Sequence, residues 1–79
     1  MYPNVKSVRP IENYHLELVY DNDEIRVFDL NPYLNIGRFK ELRDTEIFNN
    51  VRVSFDSIAW QNGIDIDPET LFSKSKKVN

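Results

Sequence analysis

The chain has 79 residues, 41% hydrophobic and 13% aromatic, with no cysteine and a net charge of −3. This is the size of one small domain held by rings and aliphatics, and the lack of thiols excludes disulfides, thiolate catalysis and cysteine-based zinc sites. Ten basic residues against thirteen acidic ones, with no basic stripe, speak against counterion-release binding, so no direct nucleic-acid binding is expected.

In chain order, Val5 to Ile11 reads as a first strand in which Val5, Ser7, Arg9 and Ile11 alternate with Lys6, Val8 and Pro10. Pro10 has no amide hydrogen, so that strand either ends there or lies at a sheet edge. YHLELVY, Tyr14 to Tyr20, has the cleanest alternation, with Tyr14, Leu16, Leu18 and Tyr20 on one face, the period-two pattern of a half-buried antiparallel strand. Asp21-Asn22-Asp23 forms a hairpin turn, because Asn and Asp tolerate left-handed backbone. Glu24 to Leu30 returns as a third strand. Its apolar residues change parity between Val27 and Phe28, which predicts a bulge or burial on both faces.

NPYLNIGRFKELRDTEIFNN predicts helix in short pieces. Asn31 precedes a proline at the first helical position, Phe39 and Leu42 share one side of a second turn, and Asp44 caps a third from Thr45 to Asn49. None is long enough to be stable alone, so each must pack on a sheet. Val51, Val53 and Phe55 alternate as a fourth strand, Asp56-Ser57 turns the chain, and Ile58-Ala59-Trp60 makes a fifth. A short helix from Pro68 to about Ser73 follows. The expected fold is α+β: a small antiparallel sheet of about five strands, short helices packed on it, and a short C-terminal helix. Residues 1–73 are expected to form one domain, and 74–79 a disordered, polar, basic tail.

WQNGIDIDPETLF, Trp60 to Phe72, places Asp65, Asp67 and Glu69 on alternate positions. Hard cations take such oxygen ligands, but the glycine of a calcium loop is missing and Pro68 interrupts the series. Turn and cap chemistry accounts for the same residues. Asn62-Gly63 is a turn pair, Asp67-Pro68 starts a helix, Glu69 favours its dipole, and Leu71 and Phe72 dock it. Only Asp65 lacks a structural task. The lone histidine, His15, has Glu17 as neighbour on its own strand face, and a catalytic part for it demands geometry. With Gly37 and Gly63 alone there is no phosphate loop, and no serine sits in a nucleophile-elbow context. Tyr14, Tyr20, Tyr33, Phe28, Phe39, Phe48, Phe55, Trp60 and Phe72 read as core in preference to a base-stacking surface, which needs interleaved Lys and Arg. No metal, cofactor or catalytic residue is expected.

YHLELVYDNDEIRVFDLNPYL, FKELRDTEIFNNVRV and IAWQNGIDIDPETLF together resemble the family known as domain of unknown function 2442. The signature comprises Asp29, Phe48, Trp60, Asn62, Gly63, Asp65, Asp67, Pro68, Glu69 and Leu71, all read as structural. The family places a glycine in the first hairpin where Asp23 stands here, so Asn22 or Asp23 must supply the left-handed angle. The resemblance implies a short bacterial protein, alone or ahead of a helix-turn-helix domain, whose gene neighbours that of another small protein in a toxin–antitoxin-like arrangement. This chain ends before such a domain could begin.

No apolar run approaches the roughly twenty residues that span a bilayer, and MYPNVKSV has no signal-peptide pattern, so a cytoplasmic protein without membrane contacts is expected. The leading expectation is a non-enzymatic protein-interaction or regulatory accessory module. A partner strand or a second copy would pair with an open sheet edge, with Arg26, Arg52, Glu24 and Asp65 as rim charges. The alternative is an acid/base or metal-dependent enzyme using Asp65, Asp67 and His15.

Overall fold

The computed structural model describes residues 2–79. Its strands are β1 (Val5–Ile11), β2 (His15–Tyr20), β3 (Ile25–Asp29), β4 (Arg52–Ser54), β5 (Ser57–Ala59), β6 (Asp65–Ile66) and β7 (Lys76–Lys77), with helices α1 (Thr45–Asn49) and α2 (Pro68–Lys74). The fold is α+β with antiparallel pairing and a short C-terminal helix. The strands divide between two sheets, one in the order β1-β2-β3-β7 and the other β4-β5-β6, where a single five-stranded sheet was expected. Among the described residues a single long backbone hydrogen bond, Val5 N–H to the Asp56 carbonyl at 3.5 Å, links β1 to the β4–β5 hairpin. β7 occupies the far edge of β3, and β4 pairs with β5 in the second sheet.

The alternation in β2 decides the first sheet. Leu16, Leu18 and Tyr20 are all but fully buried, and they face Pro10, Val8 and Val5 of β1 across the pair. Pro10 thus sits on an edge strand, where its missing amide costs no ladder bond. Asp23 supplies the left-handed hairpin residue at φ 71°, closed by Tyr20 N–H to the Glu24 carbonyl at 2.9 Å. The β1–β2 turn places two further non-glycine residues at positive φ, Asn13 and Tyr14. This swings Tyr14 out of the strand and edge-on against Phe48, ring centroids 5.1 Å apart.

No bulge interrupts β3, whose register with β2 runs unbroken from Ile25 to Asp29. The irregularity lies in β1, between Val5 and Ser7. The parity of β3 is masked because its inner face carries Arg26, opposite Leu18, beside buried Phe28. Ile25 and Val27 belong to the outer face. Arg26 is therefore not a rim charge. Its guanidinium, with a side chain only 14% exposed, bonds Glu24 at 2.7 Å, Ser75 Oγ at 2.7 Å, and the carbonyls of Phe72 and Ser75. It also lies 4.1 Å from the centre of the Phe72 ring.

The C-terminal basic stretch contains the short strand β7. Lys76 and Lys77 pair with Val27 and Arg26, Val78 N–H donates to the Ile25 carbonyl, and the Asn79 side chain bridges Ile25 and Asp23. The lysines face outward, so their charge is no obstacle to strand pairing. Two 3-10 stretches, Asn31–Tyr33 and Gly37–Arg43, together with α1 lead from the first sheet to the second. Asp29, not Asn31, supplies the side-chain bond at the first of these, accepting from the Asn31 amide at 2.9 Å. Asp44 caps α1 through the Glu46 amide. Trp60, with no exposed surface, ties α1 to the second sheet by donating Nε1–H to the Phe48 carbonyl at 3.0 Å. Leu30, Leu42, Ile58 and Leu71 complete the core between the sheets. Among the described residues no helix is long and apolar enough to cross a membrane.

Candidate functional site

β6 is delivered by a tight turn. Trp60 N–H reaches the Ile64 carbonyl at 2.7 Å and Gly63 takes φ 88°, a conformation that a side chain resists. The Asn62 side chain accepts from the Ile64 amide and donates to Glu41 at 2.9 Å, while Arg38 donates to the Asn62 carbonyl. Ile66 then pairs with Ile58, Asp65 with Ala59, and the buried Ser57 hydroxyl donates to the Ile66 carbonyl. Because alternate residues of an antiparallel strand turn their backbones to the partner, Ile64 and Ile66 bond toward β5 and Asp65 presents its N–H and C=O outward. Among the described residues no strand lies beyond β6 in the sheet. Edges of this kind are where partner strands attach.

The three acids of this stretch diverge. Asp67 caps α2, accepting from the Thr70 amide at 3.1 Å and its hydroxyl at 3.3 Å, with Pro68 in the first turn. Glu69 lies exposed in that first turn, where its charge favours the helix dipole. Asp65 is exposed, and among the described residues its carboxylate takes no hydrogen bond or ion pair.

Beside β6 stands the β4–β5 hairpin, and here the structure overturns a sequence expectation. Phe55 is not a core residue of a strand. Ser54 pairs with Ser57, so Phe55 and Asp56 are the two loop residues, and the Phe55 ring is 98% exposed. Phe55 also has φ 55°. Positive φ at the first loop position is the II′ hairpin pattern, a place that favours glycine. The angle closes the hairpin, but the ring, left almost wholly in solvent, adds no burial to the fold. The signal was present in the sequence: SFDS offers no glycine or asparagine, so closing the hairpin forces a bulky residue into the turn. Phe55→Gly is expected to raise the melting temperature by a few degrees. Relief of a left-handed cost of about 1–2 kcal/mol outweighs the roughly 0.5–1 kcal/mol entropy cost of glycine. Thermal unfolding followed by circular dichroism checks this, and a fall would mean that the ring supports the fold.

Between hairpin and edge strand lies a cleft of about 330 Å³ lined by Phe55, Asp56, Asp65, Asp67 and Pro68 among others. On the other side of β6 a second depression of about 210 Å³ is lined by Phe28, Tyr33, Phe39 and Thr70, and shares Asp65, Ile66 and Asp67. Phe28 stacks on Tyr33 with centroids 5.6 Å apart, and Tyr33 meets Phe39 at 5.8 Å. The edge strand is thus a common wall between an acidic cleft and an aromatic one.

His15 is elsewhere. It faces outward from β2, with Nδ1 2.9 Å from the Asn13 carbonyl and Nε2 3.7 Å from Asp29, and it lines a separate depression with Val27, Lys74 and Val78. Its acidic neighbour is Asp29 across the strand pair. Glu17 is engaged by Arg9 at 3.0 Å. Partial burial pushes the Asp29 carboxyl up, but bonds from the Asn31 side chain and amide and the nearby imidazole outweigh it, leaving the group below its usual range. His15, Asp65 and Asp67 are therefore not brought to one cavity, and among the described residues no three His, Cys, Asp or Glu side chains are grouped to hold a metal ion.

No curated protein and no solved structure matches the chain. The family described as protein of unknown function (DUF2442) matches over residues 5–77, and the chain belongs to that family.

Proposed function

We propose that this chain is a protein-interaction module, a regulatory accessory that docks a partner segment along β6 and under the tip of the β4–β5 hairpin. The observation that carries the reading is Phe55, a fully exposed ring held at an unfavourable backbone angle beside an edge strand with outward-facing backbone. A bulky apolar ring kept in solvent at a turn position that favours glycine is a pointer to use, and large aromatic rings are frequent anchors of interfaces. The rival enzymatic reading requires the imidazole and the two carboxylates in one cavity, and they line separate depressions.

The test is photo-crosslinking in the cell that encodes the chain. Benzoyl-phenylalanine at position 55 is expected to give a discrete protein adduct, and the same probe at exposed Ile36 is expected to give none. No adduct from position 55, or equal adducts from both, would remove the reading. A narrower form, in which the chain is one member of a toxin–antitoxin-like pair, is supported by the family resemblance alone. It predicts that the captured partner, expressed without this chain, arrests growth.

A further inference from the structure

We infer that the docked segment is an extended, positively charged stretch of a different protein, carrying a large apolar residue that packs on Phe55. The inference rests on the docking reading above and adds the chemistry of the partner. Three observations select it. The outward N–H and C=O of Asp65 suit a strand-like backbone. Asp56 and Asp65 line the cleft between the hairpin and β6, and among the described residues neither carboxylate has a cationic partner. Arg38, which approaches from the Asn62 turn, is paired with Glu41 at 3.3 Å.

Charge also chooses among occupants. Two copies joined edge to edge through β6 would bring Asp65 and Asp67 against their own counterparts, a repulsive arrangement that rejects self-pairing. Phosphate backbones are disfavoured for the same reason. A cationic segment alternating with apolar residues satisfies both the carboxylates and the ring, and the charges steer its approach more than they hold it.

The test uses the whole chain and two fluorescein-labelled nonapeptides. One alternates lysine with valine and a central phenylalanine, and the other has glutamate for every lysine. Fluorescence anisotropy at low and high salt is combined with amide chemical shifts of the protein. The lysine peptide is expected to bind, to shift amides around Phe55 and Asp65, and to weaken as salt rises. Phe55→Ser and the double variant Asp56→Asn with Asp65→Asn are each expected to weaken it tenfold or more. Among the described residues neither carboxylate makes a hydrogen bond or ion pair within the fold, so unfolding will not explain a loss in the double variant.

Equal binding of the two peptides, or lysine-peptide binding untouched by the double variant, overturns the charge assignment. Concentration-dependent oligomers in sedimentation, with shifts at both Asp65 and Lys77, would replace the foreign partner by a head-to-tail copy and also overturn it. If the lysine peptide fails while position 55 still crosslinks a native partner, the chemistry assigned to the segment falls and the docking reading stands. If both fail, both fall.

Discussion

Trp60→Ala is expected to leave the domain largely unfolded at physiological temperature. A domain of 79 residues has a net stability of roughly 4–12 kcal/mol at typical values per residue, and truncating a buried tryptophan costs about 3–5 kcal/mol. Trp60 has no exposed surface, so the upper half of that range applies. Its indole also satisfies the Phe48 carbonyl at 3.0 Å, which the alanine would leave buried and unpaired at a further cost of about 1–3 kcal/mol. The damage extends to the edge strand proposed for docking, because the Trp60 backbone closes the turn that delivers β6. Trp60→Phe separates the two contributions. It keeps most of the apolar volume and loses the indole bond, so it should remain folded with a smaller loss. Urea unfolding and near-ultraviolet circular dichroism measure both variants. A cooperative Ala variant destabilised by less than about 1 kcal/mol would mean that the core is organised around other residues.

The sequence is readable where one physical signal acts alone. The alternation of β2, the hairpin at Asp23 and the Asp44 cap each follow from local chemistry. It misleads where a polar side chain occupies an apolar position. Arg26 on the inner face of β3 disguises the parity of that strand, because no periodicity rule expects a guanidinium paired with Glu24 and hydrogen-bonded to carbonyls distant in sequence. The same cause hides β7. Lysines in a C-terminal stretch resemble a solvated tail until Arg26 and Ile25 supply a template for them. Phe55 is the opposite case, an apolar residue in a polar position. Hydrophobicity assigns it to a core, and only the count of loop residues between Ser54 and Ser57 places it in solvent. β6, two residues long, carries no alternation to detect. It exists because Ser57 and the Asn62-Gly63 turn hold it against β5.

Arg26→Ala is expected to cost about 3 kcal/mol and to loosen the C-terminal strand before the rest of the fold. Charge-assisted bonds to the Phe72 and Ser75 carbonyls are lost together with the stacking on the Phe72 ring. Those carbonyls end α2, so the helix loses a cation at the terminus where one stabilises and keeps only Lys74 of its last turn. Arg26→Lys should restore little, because an ammonium cannot reproduce the planar fork. The Tyr20 hydroxyl lies buried beside this network without a well-aligned partner. Burial pushes its pKa up to about 12 against the lowering influence of Arg26 and Ser75. The bond from Arg26 is the main cause that holds the Glu24 carboxyl below its ordinary value. A depressed carboxyl stabilises the fold above the unfolded pKa, and that contribution disappears as pH falls through the lower folded value. The variant should therefore lose part of the acid sensitivity of the native chain along with its stability. Amide exchange resolves the local effect. Val78, whose amide donates to the Ile25 carbonyl at 2.8 Å, should exchange rapidly in the variant, while amides of β2 keep their protection. β6 is pinned independently by Ser57 and β5, so the docking proposed at Phe55 should survive a loosened β7. Equal loss of protection in both sheets would instead make Arg26 a support of the whole fold, and stability and recognition could not then be varied separately in this chain.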